Sequence, residues 1–307
     1  MSAKASTLKS SIEDFMRRQG IEAEMERNLV KEAIHLHLLS AMSEAGILRH
    51  AVFQGGTALR LCYGGERYSE DLDFVCGKSG SYFTDVEFKD LIETALETTK
   101  KTLSRDFGID SNQISLKKPQ HPDLVKQSAI NVAAWQIIVP VEATRNAPKS
   151  RIKIEFANVP AYATKPMPVR ATPGLVQVED VILTVETPDE ILADKAVALT
   201  ARAALKFRDV WDVWLLQDRL DAKADPGIVR KKFEDYGTSD TDAKANKRLA
   251  ELSEKSTADA FLAEMRRFLP AKRVKQISDS GLDKSILSDS SALLRQSVLR
   301  AGVQTLK

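Results

Sequence analysis

The sequence predicts an α+β fold, with a mixed α/β part over residues 1–186 and a helical part over 187–307. Three observations carry this reading. Strand-like alternation recurs at 71–75, 131–142 and 151–156, between segments of helical periodicity at 8–47 and 86–103. Thr187-Pro188-Asp189-Glu190 reads as a capping box, with Thr187 as N-cap, Pro188 at the first helical position and Glu190 reaching back. Beyond that box the apolar periodicity is helical almost to the last residue.

In chain order, residues 8–47 read as helix interrupted at Gly20, with an apolar face through Leu29, Ile34, Leu38, Leu39 and Met42 and a cap at Gly46. His35 and His37 are two apart, so they point away from each other and serve packing or surface, not a metal pair. A strand at 50–54 runs into Gly55-Gly56, a short helix-compatible stretch at 57–63, a second break at Gly64-Gly65, and the strand 71–75. Ser79-Gly80-Ser81 makes a loop, 86–103 is an amphipathic helix, and 109–119 is a strand after a turn. In the strand 151–156, Ile152, Ile154 and Phe156 take one face and Arg151, Lys153 and Glu155 the other. Pro160, Pro166, Pro168 and Pro173-Gly174 mark loops before a strand-like run at 176–185. Helices are expected at 188–205, 208–219, 225–235, 242–268 and 288–305, with breaks near Gly237, Pro270 and Gly281.

Composition narrows the class. A chain of 307 residues with 43% hydrophobic and 29% charged residues can bury one large or two modest cores. A net charge of +2 means that any nucleic-acid contact comes from a local patch. Cys62 and Cys76 suggest no disulfide framework and point to a reducing compartment. The N-terminus has no apolar targeting core, and no run approaches about 18 apolar residues, so a cytoplasmic, non-membrane protein is expected.

The stretch 53–75 holds the strongest chemical signal. Asp71 and Asp73 project from one side of a strand, where two like charges repel unless a cation lies between them. A lone Asp-x-Asp is also compatible with a solvated strand edge. The Gly-Gly turn leading into a helix start tips the balance, because helix N-terminal amides bind phosphate and carboxylates with phosphates describe a metal–nucleotide centre. Glu155 stands where a third metal-facing acid would, or pairs with Lys153 or Arg151. Between residues 115 and 170, nine basic residues (Lys117, Lys118, Lys126, Arg145, Lys149, Arg151, Lys153, Lys165 and Arg170) face three acids, Asp123, Glu142 and Glu155. That surplus of six positive charges is a footprint for a polyanion or a solvated face. Past the capping box, Lys195 and Arg202 share a helix face two turns apart, and Asp209 and Asp212 share the next. Two readings stand here as well: Lys195 as a point charge for nucleotide phosphates, or an interhelical salt-bridge set.

Taken together, Gly55-Gly56-Thr57-Ala58-Leu59-Arg60, Arg67-x-Ser69-x-Asp71-Leu72-Asp73-Phe74, Ile154-Glu155-Phe156, Asp194-Lys195 and Arg208-Asp209-x-x-Asp212 resemble the AbiEii/AbiGii-type toxin family. These proteins are similar to polymerase β-like minimal nucleotidyltransferases and include the MenT toxins. The motifs span 53–214; the helical tail from about 220 carries none. The resemblance implies a nucleotidyltransferase lobe with a mixed sheet over 1–186 and a helical C-terminal lobe over 187–307. It implies a toxin of a bacterial or phage-defence toxin–antitoxin pair that transfers a nucleoside monophosphate from an NTP to an acceptor. For some members that acceptor is the tRNA 3′ end, which stops translation. Carried over by position, Gly55, Gly56 and Thr57 would cradle nucleotide phosphates, with Arg67 as phosphate or structural support and Ser69 in the nucleotide pocket. Asp71, Asp73 and Glu155 would hold Mg²⁺, Lys195 would contact phosphate, and Asp209 or Asp212 would complete the cleft. The expected partners are an NTP, a tRNA acceptor and a cognate antitoxin, with or without direct binding.

Overall fold

Thr7 starts the first helix by accepting the Ser10 N–H on its hydroxyl, and Gly20 ends it at φ 65°, a conformation glycine adopts without strain. The computed structural model describes residues 7–77, 86–119, 132–142 and 147–299. The expected loop at Ser79–Ser81 and the charges Asp123, Lys126 and Arg145 lie outside the described residues.

The elements that carry the site come first. Helices α1 (Leu8–Gln19) and α2 (Glu26–Glu44) precede β1 (Val52–Gln54), α3 (Gly55–Leu61), β2 (Leu72–Val75) and α4 (Val86–Phe107). Strands β3 (Ser115–Lys117), β4 (Val132–Pro140), β5 (Lys149–Ala157), β6 (Thr164–Pro168) and β7 (Ile182–Glu186) follow. The sheet has seven strands in the order β3-β4-β5-β2-β1-β7-β6. It is mixed: β1–β2, β3–β4 and β4–β5 are antiparallel, while β2–β5 and β1–β7 are parallel.

Register sorts the side chains into two faces, because directly paired residues point to the same side. One face is apolar. Phe53, Phe74 and Phe156 lie in register on β1, β2 and β5, with ring centroids 5.0 and 5.1 Å apart. Trp135 from β4 and Phe88 from α4 meet Phe156 edge-on at 5.8 and 5.4 Å. Helix α2 packs on this face and against α1 and α4. Each ring buried here contributes about 1.5–3 kcal/mol, plus roughly 0.5–1.5 kcal/mol per aromatic pair. The opposite face carries Asp73, Glu155, Lys153, Arg151 and Gln136, all exposed or half-buried.

β6 is a departure from the sequence reading, which assigns Pro166 and Pro168 to loops. Proline lacks the N–H that an inner strand must donate, but β6 is the last strand of the sheet, where that donor is not needed.

The helical part comprises α5 (Pro188–Ala201), α6 (Phe207–Trp214) running into π-helical Leu215–Arg219, and α7 (Pro226–Asp235). It continues with α8 (Thr241–Ser253), α9 (Thr257–Met265), α10 (Ala271–Ser280) and α11 (Leu282–Leu293), the last running into π-helical Leu294–Leu299. The single helix expected at 242–268 is two. Glu254 turns extended, and Thr257 Oγ1 donates to Glu251 O at 2.6 Å, with no Gly or Pro to announce the break. Pro270 and Gly281 interrupt the helices as read, and between them lies α10, which the sequence reading leaves unassigned, with Pro270 as its N-cap and Gly281 as its left-handed C-cap at φ 71°.

The capping box forms by half. Thr187 Oγ1 accepts the Glu190 N–H at 3.4 Å, but the Thr187 N–H is given to Ala163 O at 2.8 Å. Glu190 turns its carboxylate to the Tyr162 N–H at 2.8 Å and to Lys232 Nζ at 2.7 Å. The described residues cluster into two compact units. The first falls within Met1–Gln127, Asn131–Asn158 and Pro166–Val185, and the second within Val159–Lys165 and Glu186–Lys307. No helix among the described residues is long and apolar enough to cross a membrane.

Candidate active site

In the first unit the open sheet face carries two carboxylates, Asp73 and Glu155, with Asp71 close to Asp73 in sequence. Asp73 on β2 is in register with Gln54 on β1 and with Glu155 on β5; Asp71 stands just before β2. Asp71 is held from two sides. Its Oδ1 accepts the Lys153 backbone N–H at 3.2 Å, and its own carbonyl accepts from the buried Thr57 hydroxyl. Burial raises the Asp71 pKa above the ordinary carboxylate value, aided by Glu70 and Glu155 and opposed by the Lys153 N–H and Lys31. Gly55 sits at φ 76°, and a Cβ built on it would lie 3.0 Å from Asp73 Oδ2, so glycine here both relieves the backbone and leaves the carboxylate room.

Glu155 is paired with Lys153, Oε1 to Nζ at 2.5 Å, realising one of the two sequence readings. Hydrogen bonding to Glu155 raises the Lys153 pKa, with the charges of Glu155, Asp71 and Asp73 adding to it against burial. Among the described residues, no three His, Cys, Asp or Glu side chains gather into a ready metal cage. The donor chemistry still fits Mg²⁺, a hard ion usually held by one or two carboxylates plus substrate phosphates and water. Asp71 and Asp73 supply such a pair, and Gly55 keeps the approach to Asp73 open.

The loop between α3 and β2 is anchored by two arginines. Arg67 is 3% exposed and donates to Tyr68 O at 3.0 Å, within the same loop. Gly56 is packed against it: a Cβ there would lie 2.3 Å from Arg67 Nη2 and 3.0 Å from Ser69 Oγ. Gly56→Ala is therefore expected to push the guanidinium aside and destabilise the protein by roughly 1–3 kcal/mol, read as a lower urea midpoint. Arg60, for which the sequence suggests no role, donates to Glu32 Oε2 at 2.8 Å and to Gly65 O and Glu66 O at 3.1 and 3.2 Å. It also lies 4.2 Å from the centre of the Tyr68 ring. Lys31 pairs with Glu70 at 3.0 Å, and His35 Nε2 lies 3.2 Å from Glu70 O, tying α2 to the residue before Asp71. Burial lowers the His35 pKa to about 4, so it is neutral in ordinary buffers.

Lys195, Asp209 and Asp212 lie in the second unit, as a buried set of ion pairs. Lys195 Nζ is 2.8 Å from Asp209 Oδ1 and 2.7 Å from Asp212 Oδ2, and Arg202 Nη1 is 2.5 Å from Asp209 Oδ2. Burial would raise the Asp209 pKa, but Lys195 and Arg202 outweigh it and the net shift is downward. The salt-bridge reading of the sequence is thus realised here, but Lys195 and Arg202 do not share a helix face: α5 ends at Ala201, and Arg202 is its C-cap in extended conformation, reaching Asp209 from outside the helix. A second buried set has no sequence signal. Lys232, 0% exposed, meets Glu186 at 3.0 Å, Glu190 at 2.7 Å and Asp194 at 3.1 Å. Burial would lower its pKa; Asp194, Glu186 and Glu190 raise it instead.

Cations line the same sheet face as the carboxylates. Lys117 on β3, Gln136 on β4 and Lys153 on β5 form one cross-strand row, and Arg151 and Lys149 continue along β5 with the same parity. Lys117, Lys149 and Arg151 are exposed. Lys118 is drawn off to Glu93 at 2.7 Å. In the sequence Lys117 and Lys149 stand out by charge alone; the place of Lys117 in line with Lys153 depends on register between strands, which no single strand encodes.

A protein-family model described as the nucleotidyl transferase AbiEii toxin of a Type IV toxin–antitoxin system matches residues 37–280. No curated protein matches. The crystal structure of JHP933 from Helicobacter pylori is similar at 15% identity, covering 92% of this chain and 94% of that one, with a TM-score of 0.46. A candidate nucleotidyltransferase from H. pylori is similar at 17% identity, covering 90% and 96%, with a TM-score of 0.45.

Proposed function

This chain belongs to the nucleotidyl transferase AbiEii toxin family of Type IV toxin–antitoxin systems, and from that premise we propose that its open sheet face is a Mg²⁺-dependent centre moving a nucleoside monophosphate from an NTP to a tRNA 3′ end, blocking translation. The observation that carries the reading is the register that sets Asp73 beside Glu155, with Asp71 just before β2 and its Oδ1 accepting the Lys153 N–H of β5. Asp71 and Asp73 would hold the ion, with Glu155 beside them. Bound there, Mg²⁺ neutralises triphosphate charge and steadies the leaving group. Gly55, Gly56 and Thr57 bring the backbone close to the phosphates, and Ser69 borders the nucleotide pocket; the missing side chain at Gly55 is what lets phosphate and Asp73 share the space. In the transfer, the acceptor hydroxyl oxygen bonds to the α-phosphorus while the bond to the β-phosphate oxygen breaks and pyrophosphate leaves. The hydroxyl proton passes to the Glu155 carboxylate, freed from Lys153. For Lys195, Asp209 and Asp212 the support for a nucleotide role is the family motif alone.

A polynucleotide acceptor is supported by Lys117, Arg151 and Lys149 on the same face, since phosphate backbones are bound by such cations in a salt-dependent manner. The decisive test incubates the protein with each labelled NTP and total tRNA, with and without Mg²⁺. Label in tRNA, Mg²⁺-dependent and weakened by salt, is the expected result. Label in protein would make a protein the acceptor, and nucleotide binding without transfer would make the protein a sequestering one. A cognate antitoxin is the expected partner; whether it binds is read by co-purification with the product of the neighbouring gene.

A further inference from the structure

We propose that Lys153 is a positioning residue that competes with the divalent cation, occupying Glu155 in the metal-free protein and giving it up when the ion binds Asp71 and Asp73. The inference rests on the metal-centre reading of this face and adds a residue that the reading does not require. Asp73 and Glu155 share the face, with Asp71 just before β2, and Lys153 is ion-paired with Glu155, across the ladder from Asp73. Its backbone is fixed, because its N–H is donated to Asp71 Oδ1. Its side chain is 39% exposed and flexible, so the ammonium can leave while the strand stays in place. Pairs this exposed are worth about 0–1 kcal/mol, well within what a divalent ion gains from a third carboxylate. The same half-buried acids that repel one another without an ion thereby keep a monovalent counter-charge of their own. Without the Lys153 ammonium, Glu155 would lose its counter-charge and would be open to a divalent ion before nucleotide. With it, Glu155 opens only as the ion arrives. The displaced ammonium remains on the face that also presents Lys117 and Arg151.

The test is Mn²⁺ titration of the full chain without nucleotide, followed by electron paramagnetic resonance, on folded proteins checked by circular dichroism. Lys153→Met is expected to bind Mn²⁺ roughly three- to tenfold more tightly, the size expected for removing one nearby charge in a half-exposed setting. Lys153→Arg, which keeps the cation, should stay near the parent value. In a Glu155→Gln background the gain from Lys153→Met should shrink, since the pairing is already gone. An equal gain in that background would reduce Lys153 to simple through-space repulsion and overturn the proposal, as would no gain at all. Asp73→Asn separates the two readings. If it abolishes Mn²⁺ binding while Lys153→Met changes nothing, only the role of Lys153 falls. If neither the parent nor Lys153→Met binds Mn²⁺, or Asp73→Asn leaves binding intact, the metal assignment falls with it.

Discussion

Asp73→Asn is expected to lower nucleotidyl transfer by about 10²–10³-fold or more while leaving the unfolding free energy from urea denaturation within about 0.5 kcal/mol of the parent. The asparagine keeps the shape that faces Gly55, where the carboxylate oxygen lies 3.0 Å from the position of a Cβ, but it removes the charge. Asp71→Ala should match it in activity and differ in stability. Its Oδ1 accepts the Lys153 N–H at 3.2 Å, so truncation leaves a β5 donor without that partner and costs a further ~1–3 kcal/mol. Labelled-NTP incorporation and growth arrest on induction are the two readouts. Near-parent transfer by Asp73→Asn would remove the residue from the centre.

Lys232→Met should be the largest loss of stability among single substitutions outside the sheet, about 3–5 kcal/mol at neutral pH. The methionine fills the volume but leaves Glu186 and Glu190, both 0% exposed, and Asp194 without their cation. The penalty has a pH dependence with a definite sign. Burial raises the Glu186 and Asp194 pKa values and Lys232 opposes it; Asp194 and Glu190 add to the rise at Glu186, and Glu190 adds to it at Asp194 while a hydrogen bond with Glu186 works against it. A raised carboxylate contributes stability below its unfolded pKa and loses it as the pH climbs through the folded value. Removing Lys232 lifts those folded values further, so the unfavourable window widens upward. Denaturation at about pH 5 should therefore show a smaller difference from the parent than at about pH 8. Equal losses at both would mean that the carboxylates do not take up protons in the variant.

Much of this architecture is legible in one dimension because local rules act alone there. Gly20 and Thr187 work as caps through their own backbone and side chain, and the alternation of Arg151, Lys153 and Glu155 against Ile152, Ile154 and Phe156 needs only the two-residue period of a strand. Where a reading failed, a distant partner had intervened. Pro166 and Pro168 signal a loop unless the strand lies at a sheet edge, which is a property of the sheet. Glu190 has the sequence of a capping box, but a buried lysine 42 positions later and two amides near residue 162 claim its carboxylate. Arg60 stands inside the most specific motif of the chain without a role, because its partner Glu32 lies 28 residues earlier on α2.

By itself the sequence determined the type of chemistry: an Asp-x-Asp pair at a strand, a Gly-Gly entry to a helix, and the ordered motifs of a nucleotidyltransferase family. Those are short-range statements, fixed by spacing and by which residue types tolerate a given backbone. The tertiary structure decided which acids meet and what already occupies them. Glu155 lies across the ladder from Asp73 only because β5 joins β2 in parallel at that register, and the same register sets Lys117 in line with Lys153. Pairing between strands 82 residues apart is paid for by the whole apolar face of Phe53, Phe74, Phe156 and Trp135, and no local pattern encodes it.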